Sequence, residues 1–317
     1  MRLKWVFKIK YNEDDSIQKH KARIVAKGYS QQPEVDFTKT FTPVARMGSI
    51  TIVLALSAQL QLQVFLLDVK TIFLNGELQE EVYVQQPPRY ELKGKEEKVY
   101  RLYKALYGLK QAPKAWNNKI NFYFYQNVFE RSQYEPSLYV KKKGEDFLMA
   151  CLYVDDLMYV GTSKDMVAEF KAAMMKEFEM TNLGLMRYFL DIQVKPFLGK
   201  IFILQEKYVT DLLKKFNMSE CKPVASPMVA NDKLQQNDRA VSVDSKNFRS
   251  LVGSLIYLIN SRFDILFLVR IISRFVENPS RLDILFFVRY RRIRFAATKR
   301  ILRYLQGTKD HGILYKK

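Results

Sequence analysis

The sequence predicts an α+β fold, because segments with the pattern of strands and segments with the pattern of helices are mixed along the chain instead of strictly alternating. Its 317 residues are enough for roughly two domains. Hydrophobic residues make up 48% of the chain, so it can build a substantial core. Only 12 glycines and 10 prolines interrupt it, which excludes collagen-like, disordered and linker-dominated proteins.

Three elements are predicted in the first 70 residues. Short alternating runs over 5–11 and 21–28, separated by a polar turn, indicate a basic β-hairpin. Residues 49–58 have helical character. Residues 63–69 form a nearly continuous apolar run that contains one acid, Asp68, and such a run is typical of a strand covered on both faces.

Aromatic residues at helical spacing predict a helix over residues 114–128. We expect four of these aromatic side chains to pack in the core: Trp116, Phe122, Tyr123 and Phe129.

Two β-rich runs, 147–153 and 157–160, flank Asp155 and Asp156, so the sequence predicts a hairpin with two acids at its tip. The remaining predicted elements are a helix over 165–178, strands over 188–194 and 200–204, a polar linker over 229–247, and helices over 248–275 and 295–306.

A short repeat lies in the last quarter of the chain. Residues 261–270 and 280–289 are identical at eight of ten positions, at an offset of 19. Because a solenoid needs at least about three units, we interpret the repeat as a local tandem duplication.

The charge balance predicts a polyanionic partner. Lysine and arginine number 52 against 33 acids, and the net charge of +19 exceeds what solubility requires. The two cysteines and two histidines lie far apart, so they indicate neither a zinc site nor a disulfide framework. The longest apolar stretch is interrupted by glutamines, and the N-terminus lacks the apolar region of a signal peptide, so we expect an intracellular protein without a membrane span.

Three acids are candidates for metal chemistry: Asp68 at a strand end and Asp155 with Asp156 at a hairpin tip. Carboxylates from separate strands can hold two Mg²⁺ ions about 3.5 to 4 Å apart for nucleotidyl transfer. The alternative is that the Asp pair is an ordinary turn former.

Three sequence blocks give these acids a context: VFLLDVKTIFLNG over 64–76, YKALYGLKQAPKAW over 103–116 and LYVDD over 152–156. In this order and spacing the chain resembles the reverse transcriptase of copia-type long-terminal-repeat retrotransposons, and the resemblance covers nearly the whole chain. It implies a right-hand polymerase with fingers and palm over 1–229, a linker over 230–247, and a helical connection segment over 248–317, with the RNase H domain absent.

The resemblance also implies a metal site. Asp68 and Asp155 would be the two palm carboxylates that hold Mg²⁺ or Mn²⁺, the carbonyl of Val69 would be a backbone ligand, and Asp156 would be a weaker ligand. These three acids are the predicted catalytic residues.

The nucleotide would meet four further residues. Phe73 matches the family's steric gate, which excludes a 2′-hydroxyl, and Gln111 matches the motif that contacts the incoming nucleotide and the template. In the basic hairpin, Arg23 first and Lys21 second are expected to hold the triphosphate. The alternatives are that Phe73 is an ordinary core residue, that Gln111 is an ordinary loop residue, and that the charged hairpin is simply solvated.

Basic residues elsewhere are expected to follow a nucleic-acid backbone. They occupy positions 141–143 and the segment 289–303, which has seven cationic side chains and no acid.

The chain departs from the family's pattern at several positions. Asp191 stands in place of a glycine in the turn that resembles the primer grip, and Ile72 in place of a small residue beside the catalytic strand. Further departures are Thr51 for arginine, Arg89 for glycine, Asn182 for aspartate and Phe263 for proline. With its first residues already in the fingers region, the chain is expected to be a piece of a Pol polyprotein or a genomic remnant.

We therefore expect an RNA-directed DNA polymerase with template–primer and deoxynucleotide as partners, acting in cytoplasmic virus-like particles if part of an intact element. The competing hypothesis is a catalytically inactive remnant that only binds nucleic acid. A two-metal nuclease has no histidine or additional acid cluster to support it. The sequence leaves the oligomeric state open.

Overall fold

The structure is a computed structural model that describes residues 1–11, 16–40, 42–228, 245–273 and 298–317. The chain forms two compact units: an N-terminal unit of residues 1–50 and 62–185, and a C-terminal unit of residues 51–61 and 186–317. Helices and strands are mixed in both units, and every pairing between the named strands is antiparallel. The predicted mixture of α and β structure is confirmed.

The strands of the N-terminal unit are β1 (Leu3–Tyr11), β2 (Ile17–Ala26), β3 (Val64–Val69), β4 (Glu77–Gln85), β5 (Val99–Lys104), β6 (Glu130–Arg131), β7 (Leu138–Lys143), β8 (Asp146–Tyr153), β9 (Asp156–Gly161) and β10 (Met180–Leu185). Its helices are α2 (Ile72–Asn75), α3 (Ala112–Gln126) and α4 (Lys164–Glu177), while α1 (Met47–Gln59) begins in this unit and continues into the other.

The first two strands form the predicted hairpin, whose turn at 12–15 lies outside the described residues. Residues directly opposite each other share a face of the hairpin. Lys8 pairs with Lys21 and Val6 with Arg23, so one face is basic, while Phe7 lies on the opposite face.

A six-stranded sheet in the order β10-β3-β9-β8-β7-β6 forms the centre of the unit. Leu66 and Leu67, which point to opposite faces of β3, are both buried, so the predicted strand covered on both faces is confirmed. Helices α3 and α4 contribute to one core cluster with this sheet. The core prediction for Trp116, Tyr123 and Phe129 is confirmed.

The core prediction for Phe122 is wrong, because its side chain is 59% exposed. Phe124 takes the interior position instead and stacks on Tyr139 with the ring centroids 4.1 Å apart.

The C-terminal unit contains the strands β11 (Tyr188–Phe189), β12 (Ile192–Phe197), β13 (Lys200–Leu204) and β14 (Gly312–Lys316), which form one sheet in this order. Its helices are α5 (Glu206–Lys215), α6 (Ser245–Leu258) and α7 (Leu266–Ser273), and residues 298–306 are also helical. Apolar residues of these helices form a second core cluster.

Two predicted elements of this unit are interrupted. The strand predicted over 188–194 is broken by Leu190 and Asp191, whose φ angles of 46° and 58° reverse the chain between β11 and β12. The helix predicted over 248–275 is divided into α6 and α7, because the chain turns at Arg262 and its side chain bonds to Asp264 and to the Thr308 carbonyl.

The boundaries of the compact units differ from the predicted domain boundaries. Residues 186–228 group with the C-terminal helices, α6 already begins at Ser245 within the predicted linker, and the segment predicted as helical ends in β14. The assignment of fingers, palm and connection segment stays a prediction. Among the described residues, no helix is both long enough and apolar enough to cross a membrane.

Candidate active site

Antiparallel pairing of β3 with β9 brings the predicted carboxylates together. Asp68 is paired directly with Asp156, and Asp155 immediately precedes β9. The backbone N–H of Val69 donates to the carbonyl of Asp155 over 2.8 Å. Three acids that are distant in sequence are thus placed at one end of two neighbouring central strands.

The turn that carries Asp155 is strained. Tyr153 is paired with Asp156, so only Val154 and Asp155 connect β8 to β9. Val154 has a φ of 56°, in the left-handed region that β-branched residues rarely adopt. The indole Nε1–H of Trp116 donates to the Val154 carbonyl over 2.9 Å, so α3 fixes this peptide in place.

Burial and, after it, the crowding of like charges raise the pKa of two of these carboxyl groups. Burial, then the negative charges of Asp155 and Asp68, raise the pKa of Asp156 to about 6. Burial and the charge of Asp155 also raise the pKa of Asp68, against the opposing effect of nearby lysines, Lys10, Lys21 and Lys70. The acids therefore repel one another, and a bound cation would relieve this repulsion.

The donor set fits a hard divalent cation that completes its coordination with substrate. Magnesium in proteins is typically held by one or two carboxylates together with substrate phosphates and waters. Within the described ranges, no cluster of three or more His, Cys, Asp or Glu side chains has the arrangement of a self-sufficient metal cage. Asp68 and Asp155 with a backbone carbonyl match a site in which the protein supplies only some of the ligands and the substrate supplies others.

Aromatic and basic residues adjoin the acids. The guanidinium carbon of Arg23 lies 4.4 Å from the centre of the Tyr107 ring. Phe73 meets the same ring edge to face, with the centroids 4.9 Å apart and the planes at 66°. Burial and the neighbouring cations, Arg23 first, lower the pKa of Lys21, while Asp68 acts to raise it. Two of the predicted nucleotide-binding residues, Arg23 and Phe73, are thus joined through Tyr107.

Gln111 occupies a different environment. Its side chain is only 1% exposed, and its Oε1 accepts from the Nε2 of Gln31 over 2.9 Å. Its own Nε2 donates to the carbonyl of Asp36 over 3.2 Å. Both ends of the amide are therefore used within the protein at the start of α3, and its contact with a nucleotide stays a prediction.

The remaining basic segments are only partly described. Lys141 and its two neighbours lie on β7, and the Lys141 ammonium is 5.6 Å from the Phe129 ring. Of the segment 289–303, residues 289–297 lie outside the described ranges, as does the whole second copy of the repeat. Arg303 donates to the carbonyl of Lys222.

Sequence reasoning missed two residues of this site, Tyr107 and Trp116, as contributors to its geometry. Both stand in the block 103–116 that carries the family resemblance, but the sequence predicts core packing alone for Trp116 and no role for Tyr107. The signal for Tyr107 was its position four residues before Gln111.

Comparison with known proteins gives one matching family model and several related Pol polyproteins. Residues 1–230 match the family model described as reverse transcriptase (RNA-dependent DNA polymerase). The chain is 38% identical over 318 residues to the retrovirus-related Pol polyprotein from transposon TNT 1-94 of Nicotiana tabacum, which covers 97% of this chain and 23% of the relative. It is 37% identical over 314 residues to the corresponding polyprotein from transposon RE2 of Arabidopsis thaliana, with coverage of 99% and 21%.

A third relative is the putative transposon Ty5-1 protein of Saccharomyces cerevisiae, which is 29% identical over 252 residues, with coverage of 79% of this chain and 78% of the relative. The chain spans less than a quarter of the length of the two plant polyproteins.

Proposed function

The chain belongs to the reverse transcriptase (RNA-dependent DNA polymerase) family of copia-type retrotransposons, and on this basis we propose that it adds deoxynucleotides to a primer 3′-hydroxyl under the direction of an RNA or DNA template. The observation that carries the proposal is the register of β3 and β9, in which Asp68 faces Asp156 with Asp155 in the adjoining turn. Such a group of carboxylates suits nucleotidyl transfer.

In the reaction, the primer 3′-oxygen forms a bond to the α-phosphorus of the nucleotide, the bond from that phosphorus to the β-phosphate oxygen breaks, and pyrophosphate leaves. The hydroxyl proton passes to solvent. Asp68 and Asp155 would hold Mg²⁺ or Mn²⁺ with the Val69 carbonyl, and Asp156 would be a weaker ligand. When bound, the metal ions would lower the pKa of the attacking hydroxyl and neutralise charge on the leaving pyrophosphate.

The basic face of the hairpin would receive the triphosphate. Lys21 lies among the like charges of Lys10, Lys19 and Arg23, and these charges lower its pKa after the larger effect of burial. A polyanion bound there would replace this repulsion by attraction. Phe73 would act as the steric gate against a 2′-hydroxyl, and Gln111 would shape the approach of nucleotide and template.

Family membership supports the larger assignments of the proposal. Residues 1–229 would form fingers and palm, and residues 248–317 the connection segment. The net charge of +19 supports sequence-independent, salt-sensitive binding of a template–primer duplex. In an intact element the reaction would take place inside cytoplasmic virus-like particles.

One observation favours the second candidate, a folded remnant that binds nucleic acid without catalysis. Leu190 and Asp191 both adopt left-handed φ angles in the turn that resembles the primer grip. Each such residue costs about 1 to 2 kcal/mol relative to the right-handed conformation, and glycine avoids the cost. Ile72, the other departure beside the site, is fully accommodated in the core.

Primer extension on poly(rA) with oligo(dT) and Mg²⁺ tests the proposal. We expect extension by the parent chain and a loss of at least about 1,000-fold in the Asp155→Asn variant, which corresponds to about 4 kcal/mol of barrier. Asp165→Asn, an exposed acid on α4, is the matched control and should extend normally. Circular dichroism verifies that all three proteins fold.

A folded parent chain that extends nothing with Mg²⁺ or Mn²⁺, yet binds the duplex, would replace the polymerase by the remnant. Equal extension by the parent and Asp155→Asn would disprove the metal site named above.

A further inference from the structure

We infer that Tyr107 is a positioning residue for the incoming nucleotide: its ring joins the triphosphate-binding Arg23 to the gate residue Phe73, so that selection of the deoxyribose depends on Tyr107. The inference rests on the proposed function and assigns a residue to which neither the family resemblance nor the sequence gave a role.

One face of the Tyr107 ring supports Arg23. At 4.4 Å from the ring centre, the guanidinium is within the range of a cation–π interaction, which the planar Arg side chain favours. The Nε atom of Arg23 is buried and has no hydrogen-bond partner within the described part of the chain. A buried donor without a partner calls for an acceptor, and an oxygen of a triphosphate would supply one once the guanidinium shifts so that this atom becomes accessible. The ring thus holds the guanidinium in place without accepting a hydrogen bond from its N–H groups.

The same ring also restrains Phe73. The two rings meet edge to face, the geometry that the aromatic quadrupole favours, with the centroids 4.9 Å apart. Phe73 is half-buried and is the second residue of α2, which begins directly after Thr71 with its left-handed φ of 50°. A gate excludes a 2′-hydroxyl only while its ring cannot move aside. Because Tyr107 contacts the Phe73 ring, its removal would leave space into which the gate could shift.

The backbone of Tyr107 is fixed to the strand that carries Arg23. The N–H of Ala26 on β2 donates to the carbonyl of Tyr107 over 2.7 Å. The next residue, Gly108, has a φ of 91°, and a Cβ atom there would lie 2.1 Å from the carbonyl oxygen of Ala26. Only glycine permits this approach, so the loop and the hairpin hold each other in register.

The phenol also lies within the electrostatic field of the catalytic acids. Burial raises the pKa of Tyr107, Arg23 acts to lower it, and the charges of Asp155 and Asp68 act to raise it. The phenol therefore stays neutral at physiological pH and adds no charge beside the carboxylates. Tyr107 thus lies close to Arg23, Phe73 and the catalytic acids, and from this position it can arrange the nucleotide pocket.

The test compares Tyr107→Leu with Tyr107→Phe, which retains both ring contacts and is the matched control. The measurements are the Kd of dTTP and of UTP for the chain on poly(rA) with a dideoxy-terminated oligo(dT) primer, and the kcat and KM for extension of an ordinary primer. Thermal unfolding establishes that the variants fold. If Tyr107→Leu does not fold, Tyr107→Met, which keeps apolar length without a ring, takes its place.

In Tyr107→Leu we expect the Kd of dTTP to rise about 3- to 10-fold through loss of the cation–π contact. We expect the ratio of UTP to dTTP affinity to shift toward UTP by about 3- to 10-fold through loss of the ring pair. A merely structural residue would change stability without changing this ratio. Tyr107→Phe should stay within about twofold of the parent on both measures, since its ring is retained.

The outcomes separate the inference from the proposed function. A parent chain that extends primers, with a Tyr107→Leu variant of unchanged dTTP affinity and sugar selectivity, would overturn the inference alone. A parent chain that retains dTTP on the terminated primer but never extends would disprove polymerase function, while the Leu and Phe variants would still decide the role of Tyr107. A parent chain that retains no nucleotide would overturn both.

Discussion

The two units of the chain use aspartate in opposite ways. In the C-terminal unit, Asp264 accepts from Nε and Nη2 of Arg262 at 2.9 and 2.6 Å and from the Tyr304 hydroxyl at 2.8 Å. Burial acts to raise the pKa of Asp264, but the bonds and charge of Arg262 outweigh it, so the pKa is lowered. In the N-terminal unit, burial is joined by the charges of neighbouring acids, and together they raise the pKa of Asp68 and Asp156.

The difference separates architecture from function. A buried charge that is fully paired stabilises one arrangement of the chain and has no capacity left for a ligand. Like charges that are held together despite their repulsion raise the free energy of the empty protein, and this arrangement is characteristic of functional sites. Substitutions that remove one partner from either arrangement should therefore have different consequences in the two units.

Arg262→Met should lower the free energy of unfolding of the C-terminal unit by about 2 to 3 kcal/mol, because the 1% exposed guanidinium is removed while Asp264, whose side chain is 33% exposed, keeps its bond from Tyr304 but loses its cationic partner. Both tryptophans, Trp5 and Trp116, lie in the N-terminal unit, so fluorescence follows that unit while hydrogen exchange of α6 follows the other.

The control for this prediction is the double variant Arg262→Met with Asp264→Leu, which should recover most of the loss. A single variant as stable as the parent would show that the pair contributes little, and would break the contrast between the units.

Trp116→Phe should reduce kcat about tenfold with little change in the KM for nucleotide, because it removes the N–H that fixes the strained Val154 peptide, together with part of the buried ring. The measurement is steady-state primer extension.

Val154→Gly supplies the control, since glycine adopts the same φ without strain. The effect of Trp116→Phe should be smaller in that background. An equal effect in both backgrounds would show that the indole acts through packing and not through the turn.

Asp156 should make the metal-free N-terminal unit less stable as pH rises. Because its pKa is about 6 in the folded state and 3.8 is the reference value, the folded state retains the proton that the unfolded state releases, and stability falls as pH increases through 6. The pH dependence that Asp264 gives to stability has the opposite direction. Its lowered pKa stabilises the folded state at pH values above the unfolded-state pKa, and this stabilisation is lost as pH falls through the folded-state pKa.

Asp156→Asn should therefore raise the Tm of this unit by about 2 to 4 °C at pH 8 and by about half as much at pH 5, where the carboxyl is already ionised in the unfolded chain but still protonated in the folded one. Tryptophan fluorescence in EDTA measures this difference, and Mg²⁺ should stabilise the parent at pH 8 more than the variant. A parent whose Tm is independent of pH between 5 and 8 would contradict the raised pKa of Asp156.

Asp191→Gly should stabilise the C-terminal unit by no more than about 1 kcal/mol, the left-handed cost of aspartate less the hydrogen bond it accepts from Tyr188 over 3.1 Å. Hydrogen exchange of β12 measures the gain. Tyr188→Phe removes the bond alone and separates the two contributions. A loss of stability in Asp191→Gly would mean that the aspartate is adapted to its turn.

Local patterns predicted only part of the N-terminal unit, because β4 to β7, β10 and α2 carried no prediction. The hairpin, β3 and the turn with its two acids follow from alternation and from polar residues between apolar runs, which are properties of neighbouring residues. The choice between Phe122 and Phe124 did not follow, because four consecutive aromatic residues over 122–125 fit the helical period in more than one way.

Contacts between residues far apart in sequence could not be predicted from such local patterns. The division between α6 and α7 depends on Arg262 bonding to Thr308, 46 positions away. The role of Tyr107 depends on rings and charges at positions 73 and 23, which are 34 and 84 positions away. Family resemblance identified the acids, but only the structure shows the contacts that hold the turn between them.

The register between β3 and β9 has a consequence for how such a chain tolerates changes of length. Side chains alternate between the faces of a strand, so a single codon inserted between Val64 and Asp68 would turn the carboxylate away from Asp156. The same insertion in the exposed connection over 89–98 would leave this register intact. Among related copies in a genome, in-frame length changes within β3 should therefore mark chains that have lost polymerisation outright, whereas those in the connection should be found in active and inactive copies alike.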